Sequence, residues 1–211
     1  MFQDTLFYVH DPMCSWCWGF EPARREIFDA VSEKLQIRSL LGGLAPDTDL
    51  PMPDTMRHML QETWKRIEQT IPGTHFNFDF WEKCSPRRST YPANRAVIAA
   101  RIQGDEFYWQ MTARIQKAYY LEARNPSEYD TLIELASEIG LDAKQFSKQL
   151  EDTSTQELLL AEIQLSRQMG MNSFPSLAVY SSNKLHPVSL NYTSPLSMIN
   201  EIENIQTDIA R

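Results

Sequence analysis

Two thiols set three residues apart, Cys14-Ser15-Trp16-Cys17, are the residues best suited to chemistry in this 211-residue chain. A first cysteine that attacks a disulfide forms a mixed disulfide, and a second thiol one helical turn away can resolve it. The motif directly follows the apolar run Leu6-Phe7-Tyr8-Val9 and its boundary His10-Asp11-Pro12. A helix is expected to start at the motif, and unpaired N–H groups at a helix start stabilise a thiolate. Cys14, the more exposed to that field and to solvent, is the expected nucleophile, and Cys17 the resolving thiol. Two other readings of the pair are a zinc half-site and two core cysteines. Zinc needs four ligands, and no second C-x-x-C or H-x-x-x-H exists; Cys84 and four scattered histidines are the remaining candidates. The position after a strand, amid Asp11, Pro12 and Met13, argues against a core pair. No metal and no cofactor are therefore expected.

A second element is Ser173-Phe174-Pro175-Ser176, at the entrance to a later apolar run. A proline there fits an edge, a turn or a cis peptide, with trans the base expectation from the dipeptide alone. Asp11 could tune Cys14, shuttle a proton or simply cap the turn before Pro12. Trp16, between the cysteines, should be partly exposed, and with Met13, Trp18 and Phe20 it makes an apolar collar suited to extended peptide. Trp18 and Phe20 read first as packing residues, His10 as structural, and Cys84 as a small apolar filler.

The elements that must position these residues follow from apolar periodicity. Leu6–Val9 reads as a buried strand, a helix spans about 14–35 with a kink at Pro22, and a second strand covers 36–41 up to Gly42-Gly43. From 53 to 170 the chain is helical in pattern, with stripes Met56/Leu60/Trp64/Ile67/Ile71, Phe107/Met111/Ile115/Ala118, Leu132/Leu135/Ala136/Ile139 and Leu158/Ala161/Leu165/Met169. Asn125-Pro126-Ser127-Glu128 reads as a helix start and Asp142 as a cap. Strands 176–180 and 184–188 flank a three-residue turn, with Pro187 placing the second at a sheet edge, and a last helix begins at Ser194-Pro195. The order is βαβ, a helical block, then ββα. That is α/β, with residues 1–50 and 171–211 forming one domain and 51–170 an all-helical insertion.

Hydrophobic residues make up 42% and charged residues 23%, as in ordinary globular chains. The net charge of −8 disfavours a phosphate backbone, so nucleic acid is not an expected partner. No apolar run is long enough to span a bilayer, so no membrane partner is expected. The amino-terminal stretch Met1–Thr5 shows no basic region followed by an apolar one, which reads as a cytoplasmic protein.

Taken together, Asp11-Pro12-Met13-Cys14-Ser15-Trp16-Cys17-Trp18-Gly19-Phe20, the helical block, Phe174-Pro175 and Ser89-Thr90-Tyr91-Pro92-Ala93-Asn94-Arg95-Ala96 resemble the DsbA-like thioredoxin-fold oxidoreductases, nearest their FrnE-type branch. The resemblance covers the whole chain and implies a thioredoxin-like fold split by the insertion. It implies that Cys14 attacks, that Cys17 resolves, and that Pro175 is a cis-proline facing the disulfide. It further implies that the backbone beside Phe174 and Pro175 binds an extended substrate. The branch often carries a cysteine where this chain has Asn94. The Ser15-Trp16 pair replaces the Pro-His of the best-known members and adds no positive charge, so a potential of roughly −150 to −250 mV is expected, against about −120 mV for the strong oxidant. The implied activity is thiol–disulfide exchange with protein substrates or small thiols such as glutathione; the oligomeric state stays open. Two rivals are a kappa-class-like glutathione transferase or isomerase, which uses serine at the first active position, and a non-catalytic peptide-binding chaperone.

Overall fold

The computed structural model describes residues 4–209; Met1–Gln3, part of the stretch read for a leader, lie outside them. The elements in order are β1 (Thr5–His10), α1 (Ser15–Val31), β2 (Gln36–Leu41), α2 (Asp54–Thr70), α3 (Phe80–Lys83), α4 (Tyr91–Gln103), α5 (Phe107–Leu121), α6 (Tyr129–Glu138), α7 (Ala143–Glu151), α8 (Thr153–Gln168), β3 (Ser176–Ser181), β4 (Lys184–Val188) and α9 (Pro195–Ile209).

The four strands form one sheet in the order β2-β1-β3-β4. β1 and β2 are parallel from Thr5↔Gln36 to His10↔Leu41, joined by the α1 crossover. β3 runs antiparallel to β1, with Leu6 opposite Val179 and Tyr8 opposite Leu177. β4 lies at the edge, where Pro187 costs no ladder bond to a further strand. The turn between β3 and β4 is tighter than its composition suggests. Ser181 still pairs with Lys184, and only Ser182 (φ 50°) and Asn183 (φ 62°) make the bend.

Every residue of β1 is buried, because helices cover both faces of the sheet. Leu6 and Tyr8 point to one side and pack with Phe20, Ile27, Met198 and Ile202 of α1 and α9. Phe7 and Val9 point to the other, with Leu40, Ala178 and partly buried Leu165 and Phe174. The helical block builds its own core around Trp64, Ile67, Phe80, Trp81, Val97 and Ile115, which also takes in Met13 and Leu41 from the sheet side. Each fully buried side chain of this size contributes about 1.5–3 kcal/mol.

Three expectations shift. α6 starts at Tyr129, not at Asn125, because the Asn125 side chain accepts from Ser127 N at 3.1 Å and holds residues 125–128 as a turn. The buried stripe of α8 is Thr155, Leu159, Ile163 and Ser166, while Leu158 is exposed; the register is one residue off the stripe read from Leu158. α1 ends at Val31, short of residue 35, with Pro22 inside it as read. α4 has no apolar stripe because Tyr91 to Ala100 is buried on all sides.

Candidate active site

Cys14 is the N-cap of α1, with extended backbone (φ −83°, ψ 117°). Its N–H donates to the Asp11 carbonyl at 3.0 Å, and its carbonyl accepts from Trp18 N at 3.1 Å. No acidic side chain stands in the first turn of α1, so nothing there opposes the field of the free N–H groups on the sulfur. Both cysteines are buried, Cys14 at 6% exposure and Cys17 at 1%, so Cys14 is less open to solvent than its position suggests. Burial pushes the Cys17 thiol up, and the hydrogen bond and charge of Cys14 push it further. A proton on Cys17 is thereby retained until a base or a leaving thiolate takes it.

The Cys14 thiol donates to the carbonyl oxygen of Phe174 at 3.4 Å. The Phe174–Pro175 peptide is cis, Pro175 is buried, and Phe174 is half-buried. The ring of Phe174 lies across Gly42: a Cβ there would come within 2.0 Å of it. Gly42 reads in sequence only as a strand stop, yet its missing side chain is what admits Phe174.

Asp11 is fully buried beneath the motif. One carboxylate oxygen accepts from Met13 N at 2.8 Å. The other accepts from Leu44 N at 2.8 Å, Thr90 Oγ1 at 2.7 Å and Asn94 Nδ2 at 2.8 Å. Burial raises its pKa, and these four donors oppose the rise. The turn-capping reading is thus part of a larger role: Asp11 ties the Cys14 loop to the strand exit and to α4. Thr90 and Asn94 lie far away in sequence, and only the Ser89–Ala96 stretch hinted at them.

Trp16 is half-buried beside the ring of Tyr192, with centroids 5.1 Å apart. Tyr192 also meets Phe20 edge-on at 5.6 Å, and burial, then the charges of Cys17 and Cys14, raise its pKa. Tyr192 was invisible in sequence because it sits in an irregular loop. Ser15 points inward, accepting from Trp64 Nε1 of α2 at 3.0 Å. Trp18 stacks on Tyr120 at 5.6 Å, and Phe20 is fully buried. Cys84 is only partly buried, and its thiol donates to Ala123 O at 3.1 Å. An open cleft of about 600 Å³ between Asp47, Arg87, Arg95 and Tyr129 contains neither cysteine, and Arg95 there is already held by Asp47 and Gln156. Among the described residues no three His, Cys, Asp or Glu side chains are grouped to hold a metal, and no helix is long and apolar enough to cross a membrane.

A dithiol at the start of the first helix, facing a proline loop across a βαβ-ββα sheet with a helical insertion, defines a thioredoxin-like fold of the DsbA type. The chain belongs to the family described as Thioredoxin, whose model matches residues 7–200. A solved disulfide isomerase candidate from Nitrosomonas europaea superposes with a TM-score of 0.84 at 26% identity, covering 98% of each chain. The cytosolic disulfide reductase DsbM from Pseudomonas aeruginosa has a TM-score of 0.74 at 26% identity, covering 96% of this chain and 98% of its own. DsbM has also been solved with GSH. Among curated proteins, the ClpXP adapter protein SpxH of Halalkalibacterium halodurans is 25% identical over 182 residues, 84% of this chain. The chain spans about three-fifths of that relative's length, the matched share being 59%.

Proposed function

We propose that this protein is a thiol–disulfide oxidoreductase acting through Cys14 and Cys17. The observation that carries the reading is the Cys14 thiol at a helix N-cap, aimed at the Phe174 carbonyl beside Pro175. The Cys14 thiolate attacks a substrate disulfide, one substrate thiolate leaves, and a mixed disulfide forms. Cys17 then attacks the Cys14 sulfur; its proton passes to the second substrate thiolate, and two electrons have moved to the substrate. The reverse sequence oxidises a dithiol. In this reading Trp16, Phe174 and Pro175 hold the substrate segment, and Asp11 positions the motif and tunes its charge. Residues 1–50 and 171–211 carry the exchange centre, and 51–170 cover it. The likeness to a cytosolic reductase supports protein or glutathione-type substrates and a reducing, cytoplasmic setting. No metal or cofactor takes part in these steps.

The test is an equilibrium of the protein against graded glutathione buffers, read by thiol trapping and Trp fluorescence. A reversible two-electron transition between roughly −150 and −250 mV, lost in Cys17→Ser, is expected. No transition anywhere in the range refutes the reading.

A second reading, a binding protein that does not catalyse, is favoured by the similarity to ClpXP adapter proteins. It predicts that Cys14→Ser leaves partner binding intact while exchange disappears.

A further inference from the structure

The buried arginines Arg24 and Arg95 are committed to Glu21 and Asp47, and the partly buried Arg114 to Glu122 and Glu138. Arg66 on α2 is different. It is exposed and forms no ion pair among the described residues. Glu62, one turn earlier, is held by Lys65 at 2.8 Å. The Arg66 guanidinium carbon instead lies 5.4 Å from the centre of the Trp16 ring. Trp16 stands between the two cysteines and is steadied on its other contact by Tyr192. The loop carrying Tyr192 is itself fixed, because the Asn191 side chain accepts from Thr193 N at 3.1 Å and Ser194 N at 3.0 Å.

An arginine resting on an aromatic face keeps its planar donor fork free and oriented. A planar fork matches a carboxylate with two parallel hydrogen bonds. The chain as a whole carries a net charge of −8, so its average field repels anions. A free guanidinium beside the dithiol reverses that locally, and it lies one side chain away from where a disulfide must dock.

The geometry points to Arg66 as a specificity-determining residue that binds a carboxylate of the disulfide or thiol reacting at Cys14. The substrate class is then small acidic thiols and their disulfides, of which oxidised glutathione is the simplest probe. The inference rests on the exchange reading above and deepens it. The reaction is unchanged: one substrate S–S bond breaks, a Cys14–substrate S–S bond forms, and the leaving thiolate takes a proton on release. Arg66 holds the carboxylate during that step and does not touch the sulfur.

The experiment mixes the reduced full-length protein with oxidised glutathione, with neutral hydroxyethyl disulfide and with cationic cystamine, and follows disulfide formation by Trp fluorescence and thiol trapping. For Arg66→Gln the ratio of the glutathione rate to the hydroxyethyl rate is expected to fall about three- to fivefold, the size of an exposed charge pair. Arg66→Lys should restore part of the ratio, and Arg66→Glu should favour cystamine. Added salt should weaken the wild-type preference. Equal slowing with all three disulfides would mean a structural role for Arg66 and overturns the inference, as does an unchanged ratio; both leave the exchange reading standing. A wild type that reacts with none of the three overturns the exchange reading, and this inference with it.

Discussion

The Cys14 thiol and the Phe174 carbonyl, 160 positions apart in the chain, meet at 3.4 Å. Antiparallel pairing of β1 with β3 brings them together, since Val9 lies opposite Ser176 and the two loops leave the sheet at the same end. In the exchange reading proposed above, a group bonded to Cys14 lies beside Phe174 and Pro175. Replacing Cys17 by Ser removes the resolving thiol and should trap the substrate on Cys14. Mass spectrometry after incubation with oxidised glutathione should show a single stable adduct in Cys17→Ser and none in Cys14→Ser. An adduct on Cys84 instead of Cys14 would contradict the assignment.

Gly42 sets the position of Phe174. In Gly42→Ala the new methyl would come 2.0 Å from the ring, so ring or backbone must move. Overpacking of this kind costs about 1–3 kcal/mol. The expected signature is a loss of exchange rate larger than the loss of stability accounts for, because the displaced residue is the one facing Cys14. Urea unfolding and exchange kinetics on the same preparation separate the two. Full activity in a destabilised Gly42→Ala would show that Phe174 does not position substrate.

The sheet was legible because strands buried on both faces are short apolar runs, as β1 and most of β3 are, while β2 (Gln36–Leu41) is buried only at Leu40 and Leu41 and was marked by the Gly42-Gly43 stop after it. The dithiol was legible because its chemistry needs two thiols at one spacing. The surroundings were not. Leu44 reaches Asp11 from the exit of β2 and Thr90 and Asn94 from the start of α4, and no local pattern in Asp11-Pro12 encodes that convergence. Tyr192 and Arg66 act through the face of Trp16, a contact between three elements that share no sequence period. The α8 stripe was misread because Leu158, Leu159 and Leu160 are consecutive, which lets the apolar face be drawn through any of them.

The carboxylate of Asp11 depends on shared donors. Thr90 Oγ1 and Asn94 Nδ2 both reach the same oxygen, at 2.7 and 2.8 Å. Removing either leaves a buried carboxylate short of a partner, at a cost of about 1–3 kcal/mol. Thr90→Val and Asn94→Ala should each lower stability by that amount. Their double mutant should depart from additivity by more than 0.5 kcal/mol, about the limit seen for independent sites. Burial raises the Asp11 pKa, so loss of donors should raise it further. The sign follows: a raised folded pKa gives stability that is present at acid pH and lost as pH rises through the folded value. Both variants should therefore be penalised more at pH 8 than at pH 5. Unfolding in urea at the two pH values measures this, and equal penalties would show that losing these donors does not move the Asp11 titration into that range.

His10 supplies the opposite pH dependence. Its ring is stacked between Tyr8 and Trp109, each centroid 5.1 Å away, and Nε2 lies 2.8 Å from the Tyr108 hydroxyl. Burial, and then the Arg24 charge, lower its pKa to about 3. Unfolded histidine titrates near 6.5. A depressed folded pKa gives stability that is full above the unfolded value and is lost as pH falls toward the folded one. From this group alone the chain should lose about 1.4 kcal/mol per pH unit below about 6.5. His10→Phe keeps the aromatic stack, gives up the Tyr108 hydrogen bond and cannot be protonated. At pH 7 it should cost about 1 kcal/mol. Between pH 7 and 4.5 the wild type should lose about 2.7 kcal/mol more than the variant, read from urea midpoints at constant m. Parallel decline of the two proteins would show that another group governs acid unfolding and that His10 can be charged within the fold.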